Sequence, residues 1–242
     1  IGCLAYSLQL FFDFAGYSAM AIGLGLMLGF HFPENFNQPY LASSIQDFWR
    51  RWHMSLSSWL RDYLYIALGG NRNGAWKTYR NLFLTMAIAG LWHGGDSWNY
   101  LLWGAAHGVA LCVDRLWSRS SLPRIPSWLS HTLTLLFVFM AWTLFRAPDF
   151  AAALNMYAGQ LGLHDFALGD GLAVTLRSAH GLAALLGVVC IIAPLFKSRY
   201  EQRFAARVWF APMAALWPVA GFLLSFALIA SREAVPFLYF QF

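Results

Sequence analysis

Long apolar stretches dominate the chain, and about six of them approach the roughly 20 residues that a helix needs to cross a bilayer. They cover approximately 4–30, 79–95, 98–117, 128–146, 172–196 and 210–230. Polar segments separate them, and the linker 147–171 is expected to hold a short surface helix around 150–161. The pattern predicts an all-α fold: a polytopic transmembrane helical domain, with 1–242 forming one domain.

Residues 46–65 show a different pattern, in which apolar and polar side chains recur on opposite faces of a helix. Phe48, Trp52, Leu56, Trp59, Leu60 and Tyr63 share one face, and Asp47, Arg50, Arg51, Ser57, Ser58 and Arg61 share the other. Such an amphipathic helix lies at a membrane surface or dips into a protein-lined cavity. We therefore predict a surface or re-entrant helix here rather than a further span.

Composition supports a membrane protein and argues against other classes. The chain is 59% hydrophobic and 11% charged, against about 25% charged residues in soluble domains. The net charge is +5, but the basic residues lie between apolar stretches of spanning length. That distribution argues against a nucleic-acid partner. Cys3, Cys112 and Cys190 all lie within apolar stretches, so the spacing predicts neither a disulfide framework nor a metal site.

The basic residues also predict the orientation in the membrane, because cytoplasmic loops are rich in Lys and Arg. Three alternate loops hold most of them: Arg50, Arg51, Arg61, Arg72, Lys77 and Arg80; then Arg115, Arg119 and Arg124; then Lys197, Arg199, Arg203 and Arg207. These loops are expected in the cytoplasm and both ends of the chain outside. Membrane lipid is the expected surrounding of the spans.

His93 is the strongest candidate for chemistry, because an imidazole within hydrocarbon must be hydrogen-bonded or line a polar cavity. It lies near the end of the second predicted span, with Gly90 and Gly94 beside it. Small residues there leave room for a substrate or for a neighbouring helix. A reactive histidine and a structural one, hydrogen-bonded between helices, both fit this pattern.

Two other histidines lie near polar or packing features. His53 is at the boundary between the two faces of the amphipathic helix, where it faces a cytoplasmic cavity or rests at the headgroup level. His107 lies beside Gly104 and Gly108, a spacing that allows close helix packing, and it is expected to be packed. The turn LGGNRNG at 68–74 lacks the Lys and Ser or Thr of a phosphate-binding P-loop.

Several blocks of residues together resemble a known family. They are FFDFAGYSAMAIGLGLMLGF, PENFNQPY, FWRRWHMSLSSWLRDYLYIALGGNR, GLWHGGDSWNYLLWGAAHG and the closing PFLYFQF. In this order they resemble the membrane-bound O-acyltransferase family, and most closely its bacterial alginate O-acetyltransferase branch. The resemblance covers most of 8–117 and the last residues, and it implies that several spans precede Ile1.

The resemblance implies roles for particular residues. It identifies His93 as the catalytic histidine and His53 as the second active-site position. Within it, the expected substrate-binding residues are Arg50, Arg51, Arg61, Trp92 and His107, with the arginines attracting an anionic donor. A hydroxyl that attacks a thioester benefits from a base with a pKa near 7, such as imidazole.

The resemblance also implies the substrates, partners and location. No cofactor is expected to be bound, and an acyl thioester such as acetyl-CoA is the donor substrate. The acetyl group is expected to pass through the bacterial inner membrane to a polysaccharide hydroxyl or to an extracytoplasmic acetyltransferase partner, as in alginate or exopolysaccharide acetylation.

Alternative functions remain open from the sequence. Alanine at positions 15 and 19 resembles the sequence of the family branch that transfers D-alanine to teichoic acids. The motif LGGNR instead favours the acetylating branch. From other classes, a transporter with proton-relaying histidines and a scaffolding membrane subunit are also weighed. No internal repeat of the kind common in transporters is evident in the sequence.

Overall fold

The computed structural model describes residues 2–94 and 97–163, together with isolated helical positions between 185 and 227. Regular structure in these described residues is helical throughout, which confirms the all-α prediction for them. The chain divides into two compact units, Ile1–Leu176 with Phe242 and Arg177–Gln241, and the first contains all the elements below. The predicted spans 172–196 and 210–230 lie largely outside the described residues, so the span count and the single domain stay predictions.

Seven α-helices are described in the first unit. They are α1 (Gly2–Met27), α2 (Ile45–Arg51), α3 (Met54–Trp59), α4 (Ala75–His93), α5 (Trp98–Arg119), α6 (Ser127–Arg146) and α7 (Phe150–Gln160). A short 3₁₀ turn, Pro39–Leu41, precedes α2, and a π-helical segment, Leu60–Tyr65, follows α3. Helix α7 confirms the short helix predicted around 150–161.

Helices α1 and α6 are long and apolar enough to cross a membrane. They correspond to the predicted spans 4–30 and 128–146. Helix α1 ends earlier than predicted because Gly29 adopts a left-handed φ of 82° and the Phe30 N–H donates to the Gly25 carbonyl at 2.9 Å. This arrangement is a common way to end a helix. Helices α4 and α5 occupy the predicted spans 79–95 and 98–117, and their crossing of the bilayer stays a prediction.

Helices α4 and α5 form an antiparallel hairpin that is packed through glycines. A Cβ atom on Gly90 would collide with the Tyr100 carbonyl oxygen, and one on Gly104 would collide with that of Met86. At the other end of the hairpin, Gly108 lies against the backbone of Phe83. The space beside Gly90, which the sequence left open to a substrate or a helix, is therefore filled by α5.

The prediction of a single helix over 46–65 is wrong, because the structure divides this stretch into two α-helices and a π-helical segment. Helix α2 ends before Trp52, and α3 starts after His53, which has left-handed backbone angles of φ 44° and ψ 57°. The predicted apolar face divides as well. Phe48, Trp52 and Leu60 are buried, whereas Tyr63 is 70% exposed.

Candidate active site

The break between α2 and α3 is held by a side chain from the loop after α1. The Asn35 carbonyl accepts from the Met54 N–H at 2.9 Å, and Asn35 Oδ1 accepts from the Ser55 N–H at 3.2 Å and the Ser55 hydroxyl at 2.9 Å. A left-handed conformation is uncommon for a residue other than glycine and costs about 1–2 kcal/mol. The bonds from Asn35 offset that cost and fix His53 at the break between the two helices.

The His53 ring is oriented by its own helix. Its Nδ1 accepts a long hydrogen bond of 3.4 Å from the Leu56 N–H, as an N-cap side chain does. The ring packs edge-to-face with Phe14, at 4.7 Å between ring centroids. Burial lowers the pKa of His53 to about 4. With Nδ1 as the acceptor, the neutral ring carries its hydrogen on Nε2. His53 is thus an uncharged hydrogen-bond donor at neutral pH.

His93 is the last residue of α4 and lies in an aromatic enclosure. Its ring is 5.4 Å from Trp103, 5.3 Å from Phe145 and 5.0 Å from Trp92, each in an edge-to-face arrangement. His53 is close enough that a charge on it acts electrostatically on His93. The fold therefore brings together the two histidines that the sequence singled out, although they lie 40 positions apart.

Trp92 and His107, the two other ring residues predicted at the site, lie in contrasting environments. Trp92 is 66% exposed, and its ring contacts His93. His107 is fully buried, where its Nδ1 accepts from Trp49 Nε1 at 3.2 Å. Its Nε2 has no hydrogen-bond partner among the residues that the structure describes. His107 is packed, as its position beside Gly104 and Gly108 predicted, and its ring has no open surface for a substrate.

The three predicted arginines are not equivalent. Arg51 donates to Asp47 at 2.8 Å within α2, and Arg61 donates to Asp62 at 2.7 Å on the exposed side of the π-helical segment. Arg50 forms no ion pair with any residue in the described ranges. Intrahelical surface pairs contribute little stability, but they do compensate the charge of their arginine. Arg50 keeps more of its charge available than Arg51 or Arg61.

Arg50 and Arg61 line a cavity of about 510 Å³ between α2, α3, the π-helical segment and the α4–α5 hairpin. Arg115, on α5, lines the same cavity, and no carboxylate is among its described lining residues. We call this space the arginine cavity. Of these three guanidinium groups only that of Arg61 is paired with a carboxylate, and the excess of positive charge favours an anionic occupant.

Two ring contacts connect the arginine cavity to His93. Trp49 lines the cavity, its ring lies 5.8 Å from Trp103, and Trp103 lies 5.4 Å from His93. Trp103 is also 5.0 Å from His107, so it contacts both rings. The cavity and the candidate base are thus linked through Trp49 and Trp103.

Sequence reasoning missed three contributors to this arrangement. Arg115 was assigned only to a basic loop, and Asn35 and Trp103 only to blocks of the family resemblance. The register of the α4–α5 hairpin, through Gly90 and Gly104, is the signal that would have placed Trp103 beside His93. No local pattern in the sequence links Asn35 to His53.

Comparison with known proteins gives a consistent result. Residues 1–156 match the model of the MBOAT family, membrane-bound O-acyltransferases. The chain is 48% identical over 202 residues to the probable alginate O-acetylase AlgI of Azotobacter vinelandii, which covers 84% of this chain and 40% of that protein. It is 47% identical over 171 residues to the peptidoglycan O-acetyltransferase of Helicobacter pylori, covering 68% of this chain and 32% of that protein.

A third relative comes from a different branch. The teichoic acid D-alanyltransferase of Streptococcus thermophilus is 39% identical over 121 residues, covering 47% of this chain and 29% of that protein. The chain thus spans well under two thirds of the length of each of these relatives.

Proposed function

Because the chain belongs to the membrane-bound O-acyltransferase family, we propose that it carries the reacting histidines of an enzyme that moves an acetyl group from a thioester to a hydroxyl. The acceptor hydroxyl belongs to a polysaccharide or to an extracytoplasmic partner protein. Relatives named as alginate O-acetylase and peptidoglycan O-acetyltransferase support acetyl as the group and a polysaccharide as the final acceptor. Family membership favours acyl transfer over transport or scaffolding.

One observation carries the proposal. His53 and His93 come from distant parts of the chain and lie within electrostatic range of each other. His93 lies among aromatic rings at the end of α4, and His53 has a backbone conformation that needs dedicated support. Strained backbone that the surroundings hold in place is concentrated at functional sites. A histidine that only filled space would not require a left-handed residue.

The proposed reaction proceeds by general base catalysis. The acceptor hydroxyl attacks the thioester carbonyl carbon while His93 takes the hydroxyl proton, and a tetrahedral intermediate forms. The carbon–sulfur bond then breaks, and the imidazolium returns the proton to the departing sulfur. The products are an O-acetyl ester and a free thiol, so atoms and charge balance without a cofactor. General base catalysis by a positioned side chain contributes about 10²- to 10⁴-fold.

His53 is proposed to act on the carbonyl. Its Nδ1 is occupied by the Leu56 N–H, so the hydrogen on Nε2 is the one it can donate. A neutral donor aimed at the carbonyl oxygen stabilises the negative charge that develops there in the tetrahedral intermediate. The two histidines then have distinct roles, one moving a proton and the other holding a charge.

The donor is proposed to approach from the arginine cavity and the acceptor from the side of Trp92. The cavity collects basic residues of the loops predicted to be cytoplasmic, and an anionic thioester such as acetyl-CoA suits it. The exposed Trp92 ring beside His93 is placed to contact the acceptor. We accordingly propose that the intact protein is a multi-pass protein of the bacterial inner membrane.

The test measures acetyl transfer by the intact protein in membranes. His93→Gln is compared with wild type, using acetyl-CoA and a polysaccharide acceptor, with free thiol and O-acetyl ester as readouts. We expect transfer to fall by about 10²- to 10⁴-fold, while His31→Gln, at an exposed histidine of the loop after α1, stays at the wild-type rate. Full transfer by His93→Gln at equal protein level would contradict the mechanism.

The same assay separates the alternatives. A transporter would release no free thiol from any thioester, and a scaffolding subunit would lose abundance rather than product in the His93 variant. The relative from Streptococcus thermophilus is named as a D-alanyltransferase. An enzyme of that kind would use a D-alanyl thioester in preference to an acetyl thioester.

A further inference from the structure

Arg115 lines the arginine cavity with a buried guanidinium nitrogen that has no partner among the described residues. It projects from α5 into a space whose other arginines come from α2 and the π-helical segment. Its Nε is buried and has no hydrogen-bond partner among the described residues. A buried donor left without a partner costs about 1–3 kcal/mol, and more when the group is charged, so this orientation is costly unless something binds there.

The neighbouring charges leave Arg115 and Arg50 uncompensated. Arg61 already donates to Asp62, and Arg51 to Asp47. Neither Arg50 nor Arg115 forms an ion pair within the described part of the chain. Asp114, which precedes Arg115, accepts instead from the Gln46 N–H at 3.0 Å. The cavity thus holds two available guanidinium groups and no acid on its described lining.

The rest of the lining suits a ligand that is charged at one end only. Ser58 and Asn71 supply polar groups beside the arginines, and Leu82, Met86 and Leu111 supply an apolar side. The indole of Trp49 lies between this space and Trp103, which contacts His93. A ligand with a phosphate at one end and a narrow, uncharged arm at the other matches this order of surfaces.

We propose that Arg115, together with Arg50, binds a phosphate group of a phosphopantetheine thioester and thereby holds the donor with its acyl end toward His93. This inference rests on the proposed acyl transfer and adds to it the part of the donor that is recognised. Arg115 acts at the phosphate and not at the reacting carbonyl, so it is a binding and positioning residue. Guanidinium binds phosphate with paired, charge-assisted hydrogen bonds.

The experiment varies the donor and the arginine together, with the intact protein in membranes. Acetyl-CoA, acetyl-phosphopantetheine and acetyl-pantetheine offer the same reacting group with successively fewer phosphates. Arg115→Gln removes the charge, and Arg115→Lys retains it. Arg119→Gln removes a charge one helical turn away on α5, outside the cavity lining.

We expect Arg115→Gln to raise the KM for acetyl-CoA by about ten- to a hundredfold, to leave kcat/KM for acetyl-pantetheine unchanged, and to be partly rescued in Arg115→Lys. Arg119→Gln is expected to match wild type with every donor. The same loss with acetyl-phosphopantetheine would assign the contact to the phosphate next to the pantetheine arm. A loss confined to acetyl-CoA would assign it to the nucleotide phosphates.

Two results would overturn the inference while leaving the proposed function intact. Wild type could use acetyl-pantetheine as well as acetyl-CoA, or Arg115→Gln could slow all three donors equally, as a merely structural role would. If wild type transferred acetyl from none of the three donors, the proposed function itself would fail, and this inference with it. Binding of CoA to wild type and to Arg115→Gln provides a readout that does not require turnover.

Discussion

The α4–α5 hairpin and the segment 45–65 each position a histidine of the candidate site, and they do so by opposite means. His93 closes a regular helix whose packing against α5 depends on the absence of side chains at Gly90 and Gly104. His53 lies where a helix is interrupted, and hydrogen bonds from Asn35 hold the interruption. The first histidine is placed by close packing along the helices and the second by a few directed bonds.

The contrast indicates how each region should respond to change. Close packing of two backbones tolerates no added volume, because helices cannot yield locally without separating. A hydrogen-bonded break tolerates a change in volume but requires particular acceptors and a particular backbone conformation. Three predictions test this difference, in order of decreasing effect.

The largest effect is expected from adding one methyl group to the hairpin. The Cβ of Gly104→Ala would collide with the Met86 carbonyl oxygen and press on the Gly90 backbone, so we expect a loss of stability at the upper end of about 1–3 kcal/mol. Gly23→Ala on α1 is the matched control, because a Cβ there meets nothing within 4 Å. That control should be neutral or stabilising by about 0.5–1 kcal/mol.

Thermal unfolding in detergent, followed by circular dichroism, measures both variants. Equal stability of Gly104→Ala and Gly23→Ala would show that the hairpin does not depend on glycine contact.

A smaller effect on stability is expected at His53, where two substitutions separate support from chemistry. His53→Ala loses the side-chain acceptor for the Leu56 N–H and tolerates the left-handed conformation poorly, and should cost about 1–2 kcal/mol. His53→Asn keeps a capping oxygen and a residue type that accepts this conformation. It should therefore remain near wild-type stability.

Both His53 variants lack the imidazole, so acetyl transfer should fall in both if His53 acts on the carbonyl. Unfolding midpoints and transfer rates on the same preparations check the two halves of this prediction. If the Asn variant were as unstable as the Ala variant, the capped, left-handed break would not be what stabilises this segment.

The smallest effect concerns pH. Burial lowers the pKa of His53 from 6.5 to about 4. Between these two pH values His53 is protonated in the unfolded chain but remains neutral in the folded protein. The stabilising contribution is complete well above pH 6.5 and is lost as the pH falls toward 4; at pH 5.5 the loss is about 1.4 kcal/mol. Wild type should therefore lose more stability than His53→Asn between pH 7.5 and pH 5.5.

The difference between the two proteins cancels the titration of the other histidines. Parallel pH dependence of their unfolding midpoints would show that His53 is not shielded from protonation.

The same contrast explains what could be predicted from the sequence. Helix α6 at 127–146, α7 at 150–160 and the glycine contact at Gly104 follow from hydrophobic spacing and small residues, because such signals lie close together along the chain. The candidate histidines were also found from the sequence, through His93 in an apolar stretch and through the family resemblance.

The break at His53 could not be predicted, because its cause lies in Asn35, 18 positions earlier, and the spacing of 46–65 is that of a good amphipathic helix. Arg115 was likewise assigned to a basic loop, since its place in the arginine cavity depends on how α5 packs against α4. Both cases depend on contacts between elements, which periodicity does not encode.

The bonds from Asn35 to Met54 and Ser55 turn the intervening stretch into a closed loop of defined length. An inserted or deleted residue between positions 36 and 52 would leave composition and hydropathy almost unchanged, yet it would shift a different residue into the left-handed position. Among related sequences, this loop should therefore vary in residue type far more readily than in length. The spacing between the asparagine and the histidine would identify members that keep the same site even where the surrounding residues have diverged.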